Sequence, residues 1–147
     1  VNFKSNAPII SNQISVSYWV NSNDPGLKYP IYFQQQNGGS FGFAIKDKLI
    51  GFFLALPGFD GYFDSSFQMN SWYHIVGVYD GTSIKFYLNG TFKGSILYTG
   101  NTQFTGFDDF LQIGYDLDFY WKGSIDELRI YNRALTQKEV TQLYNLK

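Results

Sequence analysis

Cysteine is absent from the 147 residues. Disulfide frameworks, thiol nucleophiles and cysteine-based metal sites are therefore excluded. A single histidine, His74, excludes zinc sites built from several imidazoles. Only two glutamates, Glu127 and Glu139, accompany ten aspartates, which leaves little for carboxylate-pair catalysis. Charge is also scarce: Asp, Glu, Lys and Arg make up 16% of the chain and the net charge is −1. A near-neutral surface offers no footprint for a phosphate backbone, so nucleic acid is not an expected partner. No stretch approaches the ~20 consecutive apolar residues of a membrane helix, so membrane insertion is not expected. The first ten residues lack a basic region followed by an apolar run, so no targeting segment is expected there.

What the chain does have is aromatic residues: 15 Phe, 12 Tyr and 3 Trp, 20% of the total. Rings in that number with so little charge argue against disorder. The length fits one domain, residues 1–147, with a sizeable core.

Short strand-like runs recur between Gly, Asn, Asp, Ser and Pro. They are Ile14–Val20, Ile31–Gln35, Phe41–Ile45, Leu49–Leu54, Trp72–Tyr79, Ser83–Leu88, Thr91–Leu97, Phe110–Ile113 and Ser124–Tyr131. Many short strands with turn signals between them predict an antiparallel sandwich or barrel. In Trp72–Tyr79, Trp72, His74, Val76 and Val78 share one face, and Tyr73, Ile75 and Tyr79 the other. Apolar residues on both faces predict a central strand, covered by the core on one side and by loops or a ligand on the other. Asp80-Gly81 predicts a turn, and Asn89-Gly90 a hairpin, because Asn and Gly tolerate positive φ. Asn89-Gly90-Thr91 is also a glycosylation sequon, although the turn explains it fully. Pro57–Ser71 is expected to be a long loop.

One helix is expected at the end. Thr136 with Glu139 forms a capping box, and Leu135 with Val140 a hydrophobic staple. Val140, Leu143 and Tyr144 line one face. Some eight residues cannot hold a helix alone in water, so it must dock on the sandwich.

From Ser71 onward the residues carry a resemblance. "SWYHIVGVYDGTSIKFYLNGTFKGS" is followed by "FLQIGYD" and "WKGSIDELRIYNRALTQKEVTQLY", and the earlier "NQISVSYWV" suits a first long core strand. Residues 12–147 resemble the laminin-G-like, concanavalin-A-like jelly-roll domains common in bacterial secreted proteins. The opening "VNFKSNAP" departs from the Asp-Gly strand usual in that family, so the first strand is expected to be shortened or altered. The resemblance implies an all-β antiparallel jelly-roll sandwich with one short C-terminal helix. It implies glycan or surface-protein binding without catalysis, in an extracellular or cell-surface setting. It also implies, in many members, a bound calcium ion. A structural or protein-interaction domain of a surface or viral assembly is the alternative, and oligomeric state is left open.

The residues themselves qualify these expectations. The Glu-x-Asp-x-x-Glu strand pattern of jelly-roll glycan hydrolases is missing, and no catalytic residue is expected. Glu127 and Arg129 read as a solvated ion pair. His74 reads as a packed strand residue, with no Ser or Asp placed by sequence to complete a triad. "NGGSFG" lacks the Gly-Lys-Ser/Thr ending of a phosphate loop and reads as a hairpin loop. Asp126 shares strand phase with Leu128 and Ile130 and is expected to point inward, where an unpaired carboxylate needs compensation. Loop amides would suffice. So would a calcium ion held by Asp116, Asp118 and Asp126, since calcium collects carboxylate and carbonyl oxygens. The crowded Asp residues are equally accounted for as turn formers. The glycan expectation falls on ring-bearing loops that could meet at one rim: Phe59, Asp60, Tyr62 and Phe63 in one, Tyr120 and Trp121 in the other. Sugar C–H faces stack on rings, and hydroxyls pair with carboxylates and amides.

Overall fold

Aromatic and β-branched residues fill the runs between turn residues, and such side chains pack well on a pleated surface. A computed structural model of the chain describes residues 2–4, 12–26, 29–34, 41–46, 48–54, 60–98, 110–116 and 119–146. Its strands are β1 (Asn2–Lys4), β2 (Ile14–Ser22), β3 (Ile31–Gln34), β4 (Phe41–Lys46), β5 (Leu49–Leu54), β6 (Asp60–Asp64) and β7 (Tyr73–Tyr79). They continue with β8 (Ser83–Leu88), β9 (Thr91–Leu97), β10 (Phe110–Ile113), β11 (Tyr115–Asp116), β12 (Phe119–Tyr120) and β13 (Gly123–Tyr131), and helix α1 spans Gln137–Tyr144. Every expected strand is present. Part of the expected loop Pro57–Ser71 is instead β6, which pairs with β5 along its whole length. The opening strand is three residues long and pairs with β10.

A six-stranded sheet runs β1-β10-β3-β4-β5-β6, and a five-stranded sheet runs β13-β2-β7-β8-β9. Each described pairing is antiparallel, including the short β11-β12 hairpin. This is the expected all-β jelly-roll sandwich. The turn expectations hold as well. Asn89 and Gly90 adopt φ values of 51° and 75°. At Asp80, the carboxylate accepts from the Thr82 and Ser83 amides and pairs with Lys85.

The inner faces form one core, which includes Val16, Tyr18, Phe41, Phe43, Phe52, Ile75 and Phe86. At Gly77 the two sheets approach closely. A Cβ there would lie 2.5 Å from Phe52 Cδ1, inside the ring's van der Waals surface. Phe52 in turn packs on Phe43 at 4.8 Å between centroids, and Phe43 meets Tyr18 edge-on at 4.8 Å.

The second hydrophobic cluster lies on the outer face of the five-stranded sheet, where Val76, Val78 and Tyr87 meet Leu135 and Val140. This is where α1 docks. The Glu139 amide donates to Thr136 Oγ1, and the Thr136 amide donates to Glu139 Oε2 at 2.8 Å. Ser15 Oγ, inside β2, accepts from the Leu135 amide at 2.9 Å and donates to the Arg133 carbonyl at 2.8 Å. Gln137 Nε2 donates to the Gly90 carbonyl at 2.7 Å, tying the helix start to the β8-β9 hairpin.

Two substitutions test these contacts. Gly77→Ala should lower stability by about 2 kcal/mol, because overpacking forces Phe52 out of place. Thr136→Ala should remove about 1 kcal/mol by orphaning a helix amide. Denaturant unfolding reads both, and an unchanged midpoint at constant slope would contradict either.

Candidate functional site

The helix covers only part of the outer face of the five-stranded sheet. Beyond its C-terminal end the face continues through Trp19 and Asn21 of β2, His74 of β7, and Ser124 and Asp126 of β13. The register sets these neighbours: Trp19 pairs with His74 on one side and Asp126 on the other, and Asn21 pairs with Ser124. Trp72 precedes β7 by one residue and continues the phase of His74; it is 44% exposed.

Trp19 is held from one side. Its ring stacks on Tyr144 of α1, with centroids 5.7 Å apart and planes 19° apart. Tyr144 itself lies close over Gly90, where a Cβ would meet its ring atoms at 3.1 Å. The hairpin turn thus lets the last helical turn settle against the sheet.

Beside Trp19 opens a recess of about 270 Å³, lined by Trp19, Glu127, Arg129, Leu143 and Leu146. Its polar wall comes from a bulge. The register of β13 slips between Asp126 and Arg129, and Glu127 sits at φ 54°. A bulge inserts one residue, so side chains after it change face. Ile125, Leu128 and Ile130 all pack against the core, while Asp126 and Glu127 are exposed. Arg129 pairs with the Glu127 carboxylate and also reaches the Glu127 carbonyl at 3.4 Å. The expected Glu127–Arg129 ion pair is present, but the bulge, rather than a shared strand face, brings it about. Positive φ at a non-glycine residue is a form of strain that gathers at working sites.

His74 lies under this surface, 1% exposed. Its Nε2 is 2.9 Å from Ser17 Oγ, and Ser17 is fully buried. His74 Nδ1 has no hydrogen-bond partner among the described residues. Among the described residues no acid orients the ring, and the buried Ser17 hydroxyl is closed to solvent, which matches the expected packed strand residue. Burial, with the Arg129 charge added, pulls the imidazole down to about 4.

The residues expected from the sequence are placed as follows. Phe59 lies outside the described residues. Asp60, Tyr62 and Phe63 are in β6, with Cα positions opposite Leu54, Phe52 and Gly51. Tyr120 closes the β11-β12 hairpin and is 63% exposed. Trp121 is half-buried against the core, and its amide donates to the Gly114 carbonyl at 2.9 Å. β6 is an edge strand, four strand steps from β10, or about 19 Å across the sheet. Trp121 belongs to the opposite side, where Gly114 bonds to Pro30 and Lys122 to Asn23. The sequence missed Trp19, Trp72 and the recess. The signal was the apolar outer phase of Trp72–Tyr79, which already called for a cover or a ligand.

The inward orientation expected for Asp126 is corrected by the same bulge. Its side chain is exposed, and Oδ1 accepts from the Glu127 amide at 2.9 Å. Asp118 and the Asp116 side chain lie outside the described residues. Among the described residues no three His, Asp or Glu side chains gather as a metal site.

A family model described as the concanavalin A-like lectin/glucanases superfamily matches residues 1–141. No curated protein matches the chain. Among solved structures, a pentraxin from Limulus polyphemus is 19% identical with a TM-score of 0.78, covering 97% of this chain and 74% of its own. Domain 4 of AbnA, an extracellular arabinanase from Geobacillus stearothermophilus solved with arabinotriose, is 27% identical with a TM-score of 0.70, covering 91% and 67%. The botulinum neurotoxin serotype D ligand-binding domain, solved with N-acetylneuraminic acid, is 18% identical with a TM-score of 0.74, covering 100% and 39%. The chain spans between 37% and 40% of the neurotoxin domains it matches. Most of these are binding domains, and one is part of a glycosidase.

Buried His74 makes stability depend on pH. Above pH 6.5, its ordinary value, the imidazole is neutral in folded and unfolded chains and stability is full. Between 6.5 and about 4 the unfolded chain takes up a proton that the folded chain refuses. Stability should therefore fall with pH across that window, with His74 contributing on the order of 3 kcal/mol of the loss. Denaturant unfolding at stepped pH checks this. His74→Gln, which cannot titrate, should flatten the profile.

Proposed function

The chain belongs to the concanavalin A-like lectin/glucanase superfamily, and from that membership we propose that it is a carbohydrate-binding module with no catalysis of its own. The observation that carries this reading is the recess walled by Trp19, with a carboxylate and a guanidinium at its side and Trp72, 44% exposed, in phase with His74 on the same sheet face. A saccharide offers two kinds of surface. Its C–H faces favour an aromatic ring freed from water, and its hydroxyls need donors and acceptors in fixed places. Trp72 supplies the first. Glu127 accepts and Arg129 donates, while Asn21, Ser124 and Asp126 extend the polar strip. Trp19 is pinned by Tyr144, so little side-chain freedom is lost on binding.

The same inventory supports a reading without catalysis. Glycoside hydrolysis needs two carboxyl groups flanking one bond, about 5–10 Å apart. Glu127 is the one carboxylate lining the recess, and it is engaged by Arg129. The saccharides bound by the arabinanase domain and the neurotoxin domain support a sugar as the class of ligand for this fold. An extracellular or cell-surface setting fits such a ligand.

A glycan array, followed by titration calorimetry with arabinotriose and the array's strongest neutral ligands, tests the proposal. Trp72→Ala should weaken binding about tenfold, near 1.4 kcal/mol, with the native fold retained in circular dichroism. Wild-type protein silent toward every saccharide would reject the reading in favour of a protein-interaction domain.

A further inference from the structure

A second recess adjoins the first. It measures about 540 Å³ and is lined by Tyr131, Arg133, Glu139, Gln142 and Asn145, with Leu143 and Leu146 shared between the two. Both open along β13, where Glu127 and Arg129 serve the first recess and Tyr131 and then Arg133 the second. From Arg129 to Arg133 the strand and its continuation advance about 13 Å. The last turn of α1 forms the facing wall.

Resting on the reading above, we propose that this continuous groove binds a linear, uncharged oligosaccharide lengthwise, rather than one terminal sugar end-on. Three observations select that ligand. The first is length, since the second recess is larger than the first and shares Leu143 and Leu146 with it. The second is charge. Each guanidinium is already matched, Arg129 by Glu127 and Arg133 by Glu139 at 2.6 Å. The groove therefore has donors and acceptors of both kinds and no net charge, which suits hydroxyls and gives an acidic chain no free cation. The third is the bulge. An extended peptide would dock on the edge strand β13 by continuing its hydrogen-bond ladder. The register slip between Asp126 and Arg129, with Glu127 at φ 54°, interrupts that ladder at the groove. A sugar chain uses side chains and apolar surface and needs no ladder.

Calorimetry with the series from arabinose to arabinohexaose, run beside xylo- and cello-oligosaccharides and an oligogalacturonate, tests this. For the neutral series that binds, affinity should rise at least tenfold from the shortest ligand to the tetramer, and the oligogalacturonate should bind more weakly. Gln142 is exposed on α1 and lines only the second recess. Gln142→Trp should fill that recess and abolish the gain with length. It should keep the affinity for the shortest ligand and the melting temperature. Arg133→Ala should reduce the gain in the same way. Binding that does not change with chain length, or that is unaffected by both variants, overturns the lengthwise groove while leaving the saccharide reading intact. Preference for the acidic chain overturns the neutral assignment. No binding by any saccharide overturns this inference together with the reading it rests on.

Discussion

The contact between the Phe52 ring and the backbone of Gly77 fixes how the two sheets meet. β7 is the middle strand of the five-stranded sheet, and a side chain at position 77 would stand where the ring lies. Phe52 is locked in turn by Phe43, and Phe43 by Tyr18 of β2. Dense packing of this kind leaves no slack for either sheet to shift. The consequence reaches the outer surface, because β7 and β2 carry residues of opposite phase there. His74, Val76 and Val78 are the floor on which the helix and the recess are built, and the inner contact sets their height.

That outer face is divided by chemistry. Val76 and Val78 are apolar and are covered by Leu135 and Val140. Farther along, Ser17 Oγ pairs with His74 Nε2, and Trp19 takes the side of Tyr144. The capped helix ends there, so the remaining face stays open to solvent with Trp72 on it. Its edge strand would normally present a plain row of backbone groups, a hazard for strand-to-strand pairing. The bulge in β13 breaks that row and at the same time brings a carboxylate and a guanidinium to the groove. One irregularity thus protects the edge and furnishes the polar wall.

Low charge fits this arrangement. The ion pairs that line the groove are internal matches, Arg129 with Glu127 and Arg133 with Glu139. A surface so balanced does not steer charged partners over distance. Recognition then depends on shape, rings and hydrogen bonds at short range.

Local pattern by itself determined a large share of this protein. Alternating apolar residues gave the strands, Asn89-Gly90 the hairpin, and Thr136 with Glu139 the helix start, because each depends on a few neighbouring residues and their backbone preferences. β6 escaped notice because Asp60 and Asp64 bracket it with turn-forming residues, and only pairing with β5 makes it a strand. The candidate site was not legible for a related reason. Trp19 and Tyr144 are 125 residues apart in sequence and meet only once the helix docks. The face taken by Asp126 depends on a bulge that period-two reading cannot foresee, since one inserted residue reverses every later side chain. Sheet order, which no local rule encodes, makes the segment of Asp60, Tyr62 and Phe63 an edge strand and leaves Tyr120 in a separate hairpin. The sequence thus determined most of the elements and that one sheet face needed a cover. Tertiary structure alone decided what covers it and what stays open, because long-range register and packing are cooperative properties of the whole sandwich.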